Sequence, residues 1–251
     1  MIDIKIKEKK FDNLVVLKNI NFKINEGEFI SILGPSGCGK STLLRTVGGF
    51  EDFDGTIKIE ERIKEKPGRD VIMVFQDFNQ LFPWLTIEKN ILFALKHDNK
   101  NLKEHKSIAK EYINLVGLKD YADYYPHQLS GGMKQRAAIA RALALKPTIL
   151  LMDEPFAALD AQTRTILQQE LLKIWEKVKT TIIFVTHNIQ ESIILGDKIV
   201  VMGTEPGHIS KIYNNNLTRP RRPDTEGFTD LWHDLYTNLD QKRFLEKNVG
   251  K

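Results

Sequence analysis

The sequence predicts an α/β fold in which buried parallel strands alternate with helices, with antiparallel strands at the N-terminus and a helical insertion. Short apolar runs, among them residues 71–75 and 181–185, indicate parallel strands buried on both faces, because helical segments separate them. Residues 2–24 contain alternating apolar and polar positions, which is typical of antiparallel strands with one wet face. The strand pattern disappears between about residues 81 and 145, where helical spacing replaces it.

Period-two alternation predicts three N-terminal strands. Residues 2–7 alternate isoleucine with charged residues, and residues 17–24 and 55–60 repeat the pattern. Phe11 lies between the first two of these strands and is a candidate platform for stacking an adenine ring. A phenylalanine of the hydrophobic core is the alternative interpretation of this position.

The remaining elements are predicted from apolar runs and from helical spacing. The expected buried strands span residues 29–33, 71–75, 148–152, 181–185 and 198–202. The expected helices span residues 41–47, 88–95, 102–116, 131–145, 163–178 and 229–239. We therefore expect an α/β core formed by residues 1–80 and 146–213, an inserted helical subdomain at residues 81–145, and a short C-terminal tail at residues 214–251.

The stretch that follows the first buried strand fits G-x-x-x-x-G-K-[ST], the pattern of a phosphate-binding loop. It consists of Gly34, Pro35, Ser36, Gly37, Cys38, Gly39, Lys40, Ser41 and Thr42. Backbone N–H groups of such a loop and the dipole of the following helix favour phosphate oxygens. We expect Lys40 to reach the β- and γ-phosphates and the Ser41 hydroxyl to ligate Mg²⁺. The loop predicts binding of a nucleoside triphosphate.

Two carboxylates follow the predicted strand at residues 148–152. Asp153, at the C-terminal end of a buried strand, is placed to hold Mg²⁺. Glu154 is placed to orient and deprotonate an attacking water. A solvated acidic turn before Pro155 is the alternative.

A second helix start carries paired glycines. Ser130 is a good N-cap for the helix that Gly131 and Gly132 open. Glycines weaken the first turn of a helix, and they are reasonable if a phosphate must approach the backbone closely. These three residues therefore predict a second anion-binding helix N-terminus in the same chain.

The motifs, taken in order, resemble those of an ATP-binding cassette subunit. They are the phosphate loop, L-S-G-G-M-K-Q-R at positions 129–136, L-L-M-D-E-P at 150–155, A-L-D at 158–160 and T-H at 186–187. The resemblance covers essentially the whole chain. It implies a P-loop NTPase core and a head-to-tail homodimer with two ATP molecules between the subunits.

The resemblance also implies roles for individual residues. Lys40 of one chain and residues 130–132 of the other would clasp the same γ-phosphate. Gln76 would contact Mg²⁺ and the attacking water, and His187 would contact the γ-phosphate. Asp160 would link the two sites across the dimer.

A finer resemblance points to cassettes of nitrate, sulfonate and taurine importers. It rests on F-Q at positions 75–76, L-F-P-W-L-T at 81–86, Y-P-H-Q at 125–128 and R-P-R at 219–221. It implies two transmembrane permease subunits, a solute-binding protein that acts through the permease, and a place at the cytoplasmic face of the plasma membrane.

Residues 76–86 would dock on the permease, with Phe78 and Trp84 as the main contacts. Packing inside the helical insertion is the alternative for these aromatic residues. Three positions depart from the common family pattern without removing a catalytic group: Gly48, Ala157 and Asn188.

Bulk properties narrow the function classes. The chain has 251 residues, a net charge of +4 and one cysteine, Cys38, so an internal disulfide is excluded. No apolar run approaches the roughly 18 residues that a membrane helix needs, so we expect a soluble chain when it is isolated.

The alternative function is that of a non-transport cassette ATPase acting on nucleic acid or ribosomes. Such proteins usually have two cassettes or a long coiled coil, and this chain has neither. A monomeric P-loop kinase or GTPase would leave positions 129–136 without a role.

Overall fold

The structure is a computed structural model that describes residues 1–77, 80–96 and 101–249, with side chains up to residue 239. In chain order its elements are β1 (Ile2–Phe11), β2 (Leu14–Ile24), β3 (Phe29–Leu33), α1 (Lys40–Val47), β4 (Asp54–Ile59), β5 (Arg62–Ile63), β6 (Val71–Val74), α2 (Ile87–Leu95), α3 (Leu102–Leu115), α4 (Gly131–Leu143), β7 (Ile149–Asp153), α5 (Ala161–Val178), β8 (Thr181–Thr186), α6 (Ile189–Leu195), β9 (Lys198–Gly203), β10 (His208–Asn214) and α7 (Phe228–Val249). The chain divides into two compact units. The first unit contains Met1–Gly68 and the chain from Thr181 onward, and the second unit is Arg69–Thr180.

An antiparallel sheet of order β2-β1-β4-β5 forms one layer of the first unit. Ile2, Ile4 and Ile6 of β1 are all at most 2% exposed, because the period-two pattern turns them to one face. Ile4 pairs with Phe22 of β2 on one side and with Ile57 of β4 on the other. The predicted N-terminal strands are thus confirmed.

The second sheet of the first unit has β3 at its centre, with β8 and β9 as parallel neighbours. Every residue of β3 is buried, as expected of a strand covered on both faces. β10 pairs antiparallel with the outer side of β9. The carboxyl end of β3 therefore lies level with those of its neighbours, since Leu33 is opposite both Thr186 and Val201.

The second unit combines a parallel strand pair with helices. Val71 of β6 pairs with Ile149 of β7, and the register continues to Val74 opposite Met152. Helices α2, α3 and α4 pack on one another, and α4 also packs on β6. The predicted mixed α/β fold with parallel core strands and a helical insertion is confirmed.

The compact units differ from the division predicted from the sequence. We expected the α/β core to include residues up to 80 and from 146 on, but β6, β7 and α5 belong to the same unit as the helical insertion. Their pairing and the contact of α4 with β6 account for this grouping. The described residues of the predicted tail, 214–249, group with the first unit.

Two arginines attach the tail to the first unit. Arg221 is 6% exposed and donates to the carbonyl oxygens of Gly196 at 2.6 Å and Leu217 at 2.8 Å. Arg219 donates to the Asp197 carboxylate at 2.6 Å, and Arg221 donates to the same oxygen at 3.2 Å. Burial and, to a lesser extent, the nearby Arg219 charge lower the pKa of Arg221 to about 10, so the guanidinium stays charged at neutral pH. Beyond these two arginines, α7 packs on α6 and β9.

Candidate functional site

The predicted phosphate loop connects β3 to α1 in the first unit. Gly37 and Gly39 have φ angles of 84° and 93°, a left-handed conformation that side chains other than glycine rarely adopt. Gly39 is the N-cap of α1, and no side chain caps the helix start. A helix start capped by glycine is a common place for an anion to bind, and the helix dipole adds positive potential there.

Lys40 is folded back over the loop. Its Nζ donates to the carbonyl oxygens of Gly34 and Pro35, both at 2.9 Å, and the residue is only 5% exposed. Ser36 and Gly37 are exposed at the crest of the loop, and Ser41 is exposed in the first turn of α1. The buried Lys40 ammonium group is thus held against a loop whose glycine-rich crest is exposed. This arrangement suits a bound polyphosphate.

Cys38 packs inside the loop. Its side chain is 2% exposed, and a Cβ atom at position 34 would lie 2.8 Å from the Cys38 sulfur and 3.0 Å from the Met202 carbonyl oxygen. Gly34 is thus required because the loop passes close to β9. Cys38 fills space inside the loop.

His187 leaves the same sheet edge as the phosphate loop. β3 and β8 are adjacent and Leu33 pairs with Thr186, so Gly34 and His187 are the next residues of two neighbouring strands. His187 is exposed. Asn188, one of the departures from the family pattern, caps α6 by accepting from the Glu191 N–H at 3.1 Å. That cap fixes the backbone immediately after His187.

Phe11 lies at the end of β1, at the turn into β2. Its ring is 45% exposed, which excludes the alternative that it is a core phenylalanine. The Lys9 ammonium lies 4.2 Å from the ring centroid and also pairs with Glu51 at 3.0 Å. Phe11 is therefore an accessible aromatic ring in the first unit, as stacking of an adenine requires.

Three predicted residues gather at one edge of the second unit. Because Val74 pairs with Met152, the residues Gln76, Asp153 and Glu154 all lie at the carboxyl ends of neighbouring strands. Gln76 is exposed. Glu154 has a φ angle of 42°, an uncommon conformation for a glutamate and one often found at functional positions.

The backbone before Gln76 is held by an amide that the sequence analysis did not single out. Gln80 accepts from the Phe75 N–H at 3.2 Å and donates to the Phe75 carbonyl oxygen at 3.0 Å. Its own carbonyl oxygen accepts from Arg141 of α4 at 2.8 Å. The loop that follows β6 is thus linked to the helical part of its unit.

The L-S-G-G stretch forms the start of α4. Ser130 is the N-cap and its hydroxyl accepts from the Met133 N–H at 3.3 Å. A Cβ atom at position 132 would lie 3.2 Å from Thr163 Cγ2 and 3.3 Å from Leu167 Cδ1. Gly132 is therefore also needed for close packing of α4 on α5, a reason that the sequence analysis missed. Gly131, by contrast, is partly exposed.

Asp160 is the N-cap of α5 and lies next to this contact. Its carboxylate accepts from the Thr163 N–H at 2.9 Å, and this hydrogen bond is the main cause of a lowered Asp160 pKa. Asp160 is exposed and charged at neutral pH. Since Gly132 packs on Thr163, the helix starts that carry residues 130–132 and Asp160 are neighbours within the second unit.

The residues predicted to hold Mg²⁺ are chemically suitable for that ion. Among residues 1–77, 80–96 and 101–239, whose side chains the structure describes, no group of three or more His, Cys, Asp or Glu side chains is arranged to hold a metal. Mg²⁺ commonly binds one or two protein groups and takes its other ligands from phosphates and water. The oxygens of Ser41, Gln76 and Asp153 are hard donors of the kind that it prefers.

The apolar residues after Gln76 divide between core and surface. Leu81 is 2% exposed, whereas Trp84 is 70% exposed and Phe93 of α2 is 49% exposed. The ring of Phe82 lies 5.5 Å from that of Trp84 and 4.8 Å from that of Phe93. We call Phe82, Trp84 and Phe93 the aromatic patch. Phe78 lies outside the described residues.

A buried asparagine supports the aromatic patch. Asn90 of α2 is fully buried, accepts from the Phe82 N–H at 2.8 Å and donates to the Phe82 carbonyl oxygen at 3.2 Å. It also donates to the carbonyl oxygen of Leu85 at 3.1 Å. The segment that carries Trp84 is therefore fixed in place although its rings are exposed.

Comparison with known proteins identifies the family. A family model described as ABC transporter matches residues 17–157, more than half of the chain. The chain belongs to the ABC transporter family. As an ABC ATPase it binds and hydrolyses ATP. None of the described helices is long and apolar enough to span a membrane.

Similar proteins include importer subunits and a dimeric cassette. The aliphatic sulfonates import ATP-binding protein SsuB of Bacillus thuringiensis subsp. konkukian is 47% identical over 242 residues, covering 96% of this chain and 95% of the relative. The bicarbonate transport ATP-binding protein CmpD of Synechocystis is 46% identical over 213 residues, covering 83% and 75%. The dimeric, post-hydrolysis structure of the ATP-binding cassette MJ0796, bound to ADP and Pi, is 35% identical with a TM-score of 0.72 and covers 86% of this chain and 99% of that one. These relatives do not support the alternative of an ATPase acting on nucleic acid or ribosomes.

Proposed function

We propose that this ABC ATPase energises the import of a small solute of the sulfonate, nitrate or taurine class, or a related organic compound. The observation that carries the proposal is the similarity to a sulfonate import subunit along nearly the whole chain, 47% over 96% of its length. The ATPase does not itself contact the solute in this proposal. It acts as a homodimer on two transmembrane permease subunits, at the cytoplasmic face of the membrane, and a solute-binding protein delivers the solute to the permease.

Within the first unit, the proposed ATP-binding residues are Phe11 and the loop from Gly34 to Thr42. The exposed Phe11 ring stacks on the adenine, and the N–H groups at the start of α1 bind phosphate oxygens. Lys40 already lies over the loop, where it donates to two backbone carbonyl groups. We propose that it exchanges these partners for phosphate oxygens, so its charge contributes to ATP binding at the cost of two loop contacts.

The proposed hydrolytic groups are Gln76, Glu154 and His187. Glu154 accepts the proton of the attacking water, and Gln76 helps to position that water. His187 donates a hydrogen bond to the γ-phosphate, where charge changes during transfer. Bound Mg²⁺ would supply charge neutralisation at the β- and γ-phosphate oxygens, with Ser41, Gln76 and Asp153 as its protein ligands.

The proposed dimer brings residues 130–132 of one subunit to the ATP held by the loop of the other. The glycine-rich helix start suits this role, because the N–H groups of the first turn point along the helix axis. Asp160 lies beside this start, through the packing of Gly132 on Thr163. We propose that Asp160 carries the state of one site to the other through this contact.

Permease docking is proposed for residues 76–86 through the aromatic patch. Trp84 is 70% exposed, but Asn90 holds its segment rigid. An exposed, preorganised aromatic ring loses little conformational entropy on binding and is a common anchor of protein interfaces. A partner helix that buries Trp84 and Phe93 would be coupled to the loop that starts at Gln76.

The test of the proposed chemistry is Glu154→Gln. Loss of a general base lowers turnover by about 10²–10⁴-fold, while ATP binding is expected to persist. ATP then holds two subunits together, which gel filtration detects as a larger species. Glu61→Gln is the matched control, because Glu61 also has a positive φ angle, of 64°, but lies in the turn between β4 and β5. Wild-type turnover in the Glu154 variant would remove this residue from the base role.

A further inference from the structure

The turn between β9 and β10 is tied to β2 by two hydrogen bonds. The Gly207 N–H donates to the Val16 carbonyl oxygen and the Lys18 N–H donates to the Gly207 carbonyl oxygen, both at 2.9 Å. This isolated parallel bridge pairs Leu17 of β2 with Gly207 in the turn. It joins two segments of the first unit that are about 190 residues apart in the chain.

The same turn lies directly against the phosphate loop. A Cβ atom at position 207 would stand 2.2 Å from the Cys38 carbonyl oxygen and 2.9 Å from the Val16 carbonyl oxygen. A Cβ atom at position 39 would stand 2.7 Å from Leu17 Cδ2. The back of the loop, at the two residues before Lys40, is therefore supported by Gly207 and by β2.

β2 also carries the other end of the proposed ATP site. Its first residue, Leu14, pairs with Phe11 across the β1–β2 turn. Residues 16–18 of the same strand bond to Gly207, which lies on Cys38. One continuous strand thus connects the exposed Phe11 ring to the support of the phosphate loop.

We propose that Gly207 is a positioning residue for ATP binding, which locks β2 to the back of the phosphate loop and so sets the spacing between the loop and Phe11. The inference rests on the proposed role of the loop and of Phe11. Gly207 touches neither ATP nor the reacting atoms and acts through Cys38 and Val16. The requirement at position 207 is for space, since its φ angle lies outside the left-handed region.

The size of the effect follows from the overlap. Carbon and oxygen atoms in contact lie at least about 3.2 Å apart, so a methyl group at position 207 displaces the Cys38 peptide or the turn by about 1 Å. A misplacement of about 1 Å in a reacting group can lower the rate by up to about 100-fold. We take the same factor as the upper bound for the loss of ATP affinity. We therefore expect Gly207→Ala to weaken MgATP binding by about tenfold to 100-fold.

Gly196→Ala is the matched control. A Cβ atom there would lie 2.6 Å from Ser31 Oγ, 2.9 Å from the Ser192 carbonyl oxygen and 3.0 Å from the Lys198 carbonyl oxygen. Gly196 also has an ordinary φ angle, of −77°, but it precedes β9, whereas Gly207 follows this strand. Both substitutions crowd the backbone of the first unit, and only one of them crowds the phosphate loop.

The experiment measures the dissociation constant of MgATP by titration calorimetry, well below the melting temperature of each variant. We expect a rise for Gly207→Ala and a value within about twofold of wild type for Gly196→Ala. Equal weakening in both variants, or wild-type affinity in Gly207→Ala, would overturn the proposal. Lys40→Ala separates this proposal from the role of the loop itself. If Lys40→Ala binds ATP normally, the loop assignment fails; if only Gly207→Ala binds normally, the positioning role fails.

A measurement on the unmodified protein covers the case in which Gly207→Ala does not fold. Because coupling between two sites is reciprocal, bound ATP must suppress opening of the Gly207 bridge by the factor that the bridge adds to affinity. We expect exchange of the Gly207 and Lys18 amide hydrogens, followed by NMR, to slow about tenfold with MgATP. The Gly196 N–H, which is bonded to Ser192, is the internal control and should slow less. Equal slowing at all three positions would indicate general stabilisation alone and would overturn the proposal.

Discussion

Gly132 offers a test of whether the paired glycines of α4 serve packing or phosphate approach. Gly132→Ala places a methyl group 3.2 Å from Thr163 Cγ2, whereas carbon atoms prefer about 3.5–4.0 Å. α4 must therefore move away from α5 by up to about 0.5 Å. Overpacking costs about 1–3 kcal/mol, but alanine is favoured over glycine in a helix by about 1 kcal/mol. The free energy of unfolding should fall by about 2 kcal/mol at most, so the variant folds.

The effect on ATP hydrolysis should exceed the effect on stability. A displacement of half an ångström in residues 130–132 is expected to lower turnover by about tenfold, given that 1 Å costs about 100-fold. The double variant Gly132→Ala with Thr163→Ser removes the nearer of the two crowding methyl groups, Thr163 Cγ2 at 3.2 Å, and leaves Leu167 Cδ1 at 3.3 Å. It keeps the Thr163 N–H that donates to Asp160. Turnover should recover in part, and Thr163→Ser alone should be nearly neutral.

The assay is steady-state phosphate release, with a thermal melt of each variant. Gly131→Ala is the control. Gly131 is partly exposed, so Thr163→Ser is not expected to change the effect of an alanine at this position. The packing explanation is wrong if Thr163→Ser leaves Gly132→Ala as slow as before. In that case the added methyl group would act on the phosphate side of the helix.

Two further predictions concern partners. Lys40→Ala and Ser130→Arg chains should each be inactive alone but regain ATP hydrolysis when mixed. The reason is that one site of the heterodimer keeps both of its halves intact. Absence of any recovery would favour a complete site within one chain. Trp84→Ala should leave the melting temperature and basal ATP hydrolysis unchanged but abolish capture of the permease, whereas Tyr236→Ala, at a ring that is 46% exposed on α7, should not. A fall in melting temperature with capture retained would show that Trp84 serves packing.

Local patterns were sufficient to predict most of the fold. The bounds of β3, β7, β8 and β9 lie within one residue of the predicted ranges, because a buried parallel strand is apolar throughout. β10 was missed because its residues, all exposed or partly exposed except Tyr213, show no regular alternation. α6 was also missed, since seven residues are too few to establish a helical period. α7 was predicted at residues 229–239, but it extends from Phe228 to Val249.

The candidate site was predictable only where its residues form a contiguous motif. The phosphate loop and the pair Asp153 and Glu154 could be recognised because the strand, the turn and the functional side chains are consecutive in the sequence. The packing role of Gly132 was not, because it depends on Thr163 in another helix. Gly207 likewise depends on Cys38, far earlier in the chain. Such requirements for space exist only after distant segments have been brought together, and no local pattern encodes them.

The pairing of β3 with β8 has a consequence for insertions and deletions. Gly34 and His187 are more than 150 positions apart, but they follow Leu33 and Thr186, which lie side by side. A single deletion inside β8 would shift His187 by about 3.3 Å and turn it to the opposite face of the sheet. A change of length in an exposed connection between these strands leaves the pairing of Leu33 with Thr186 intact. Length variation should therefore be tolerated in exposed connections and excluded from β3 and β8, a contrast that a deletion scan selecting for ATP binding would reveal.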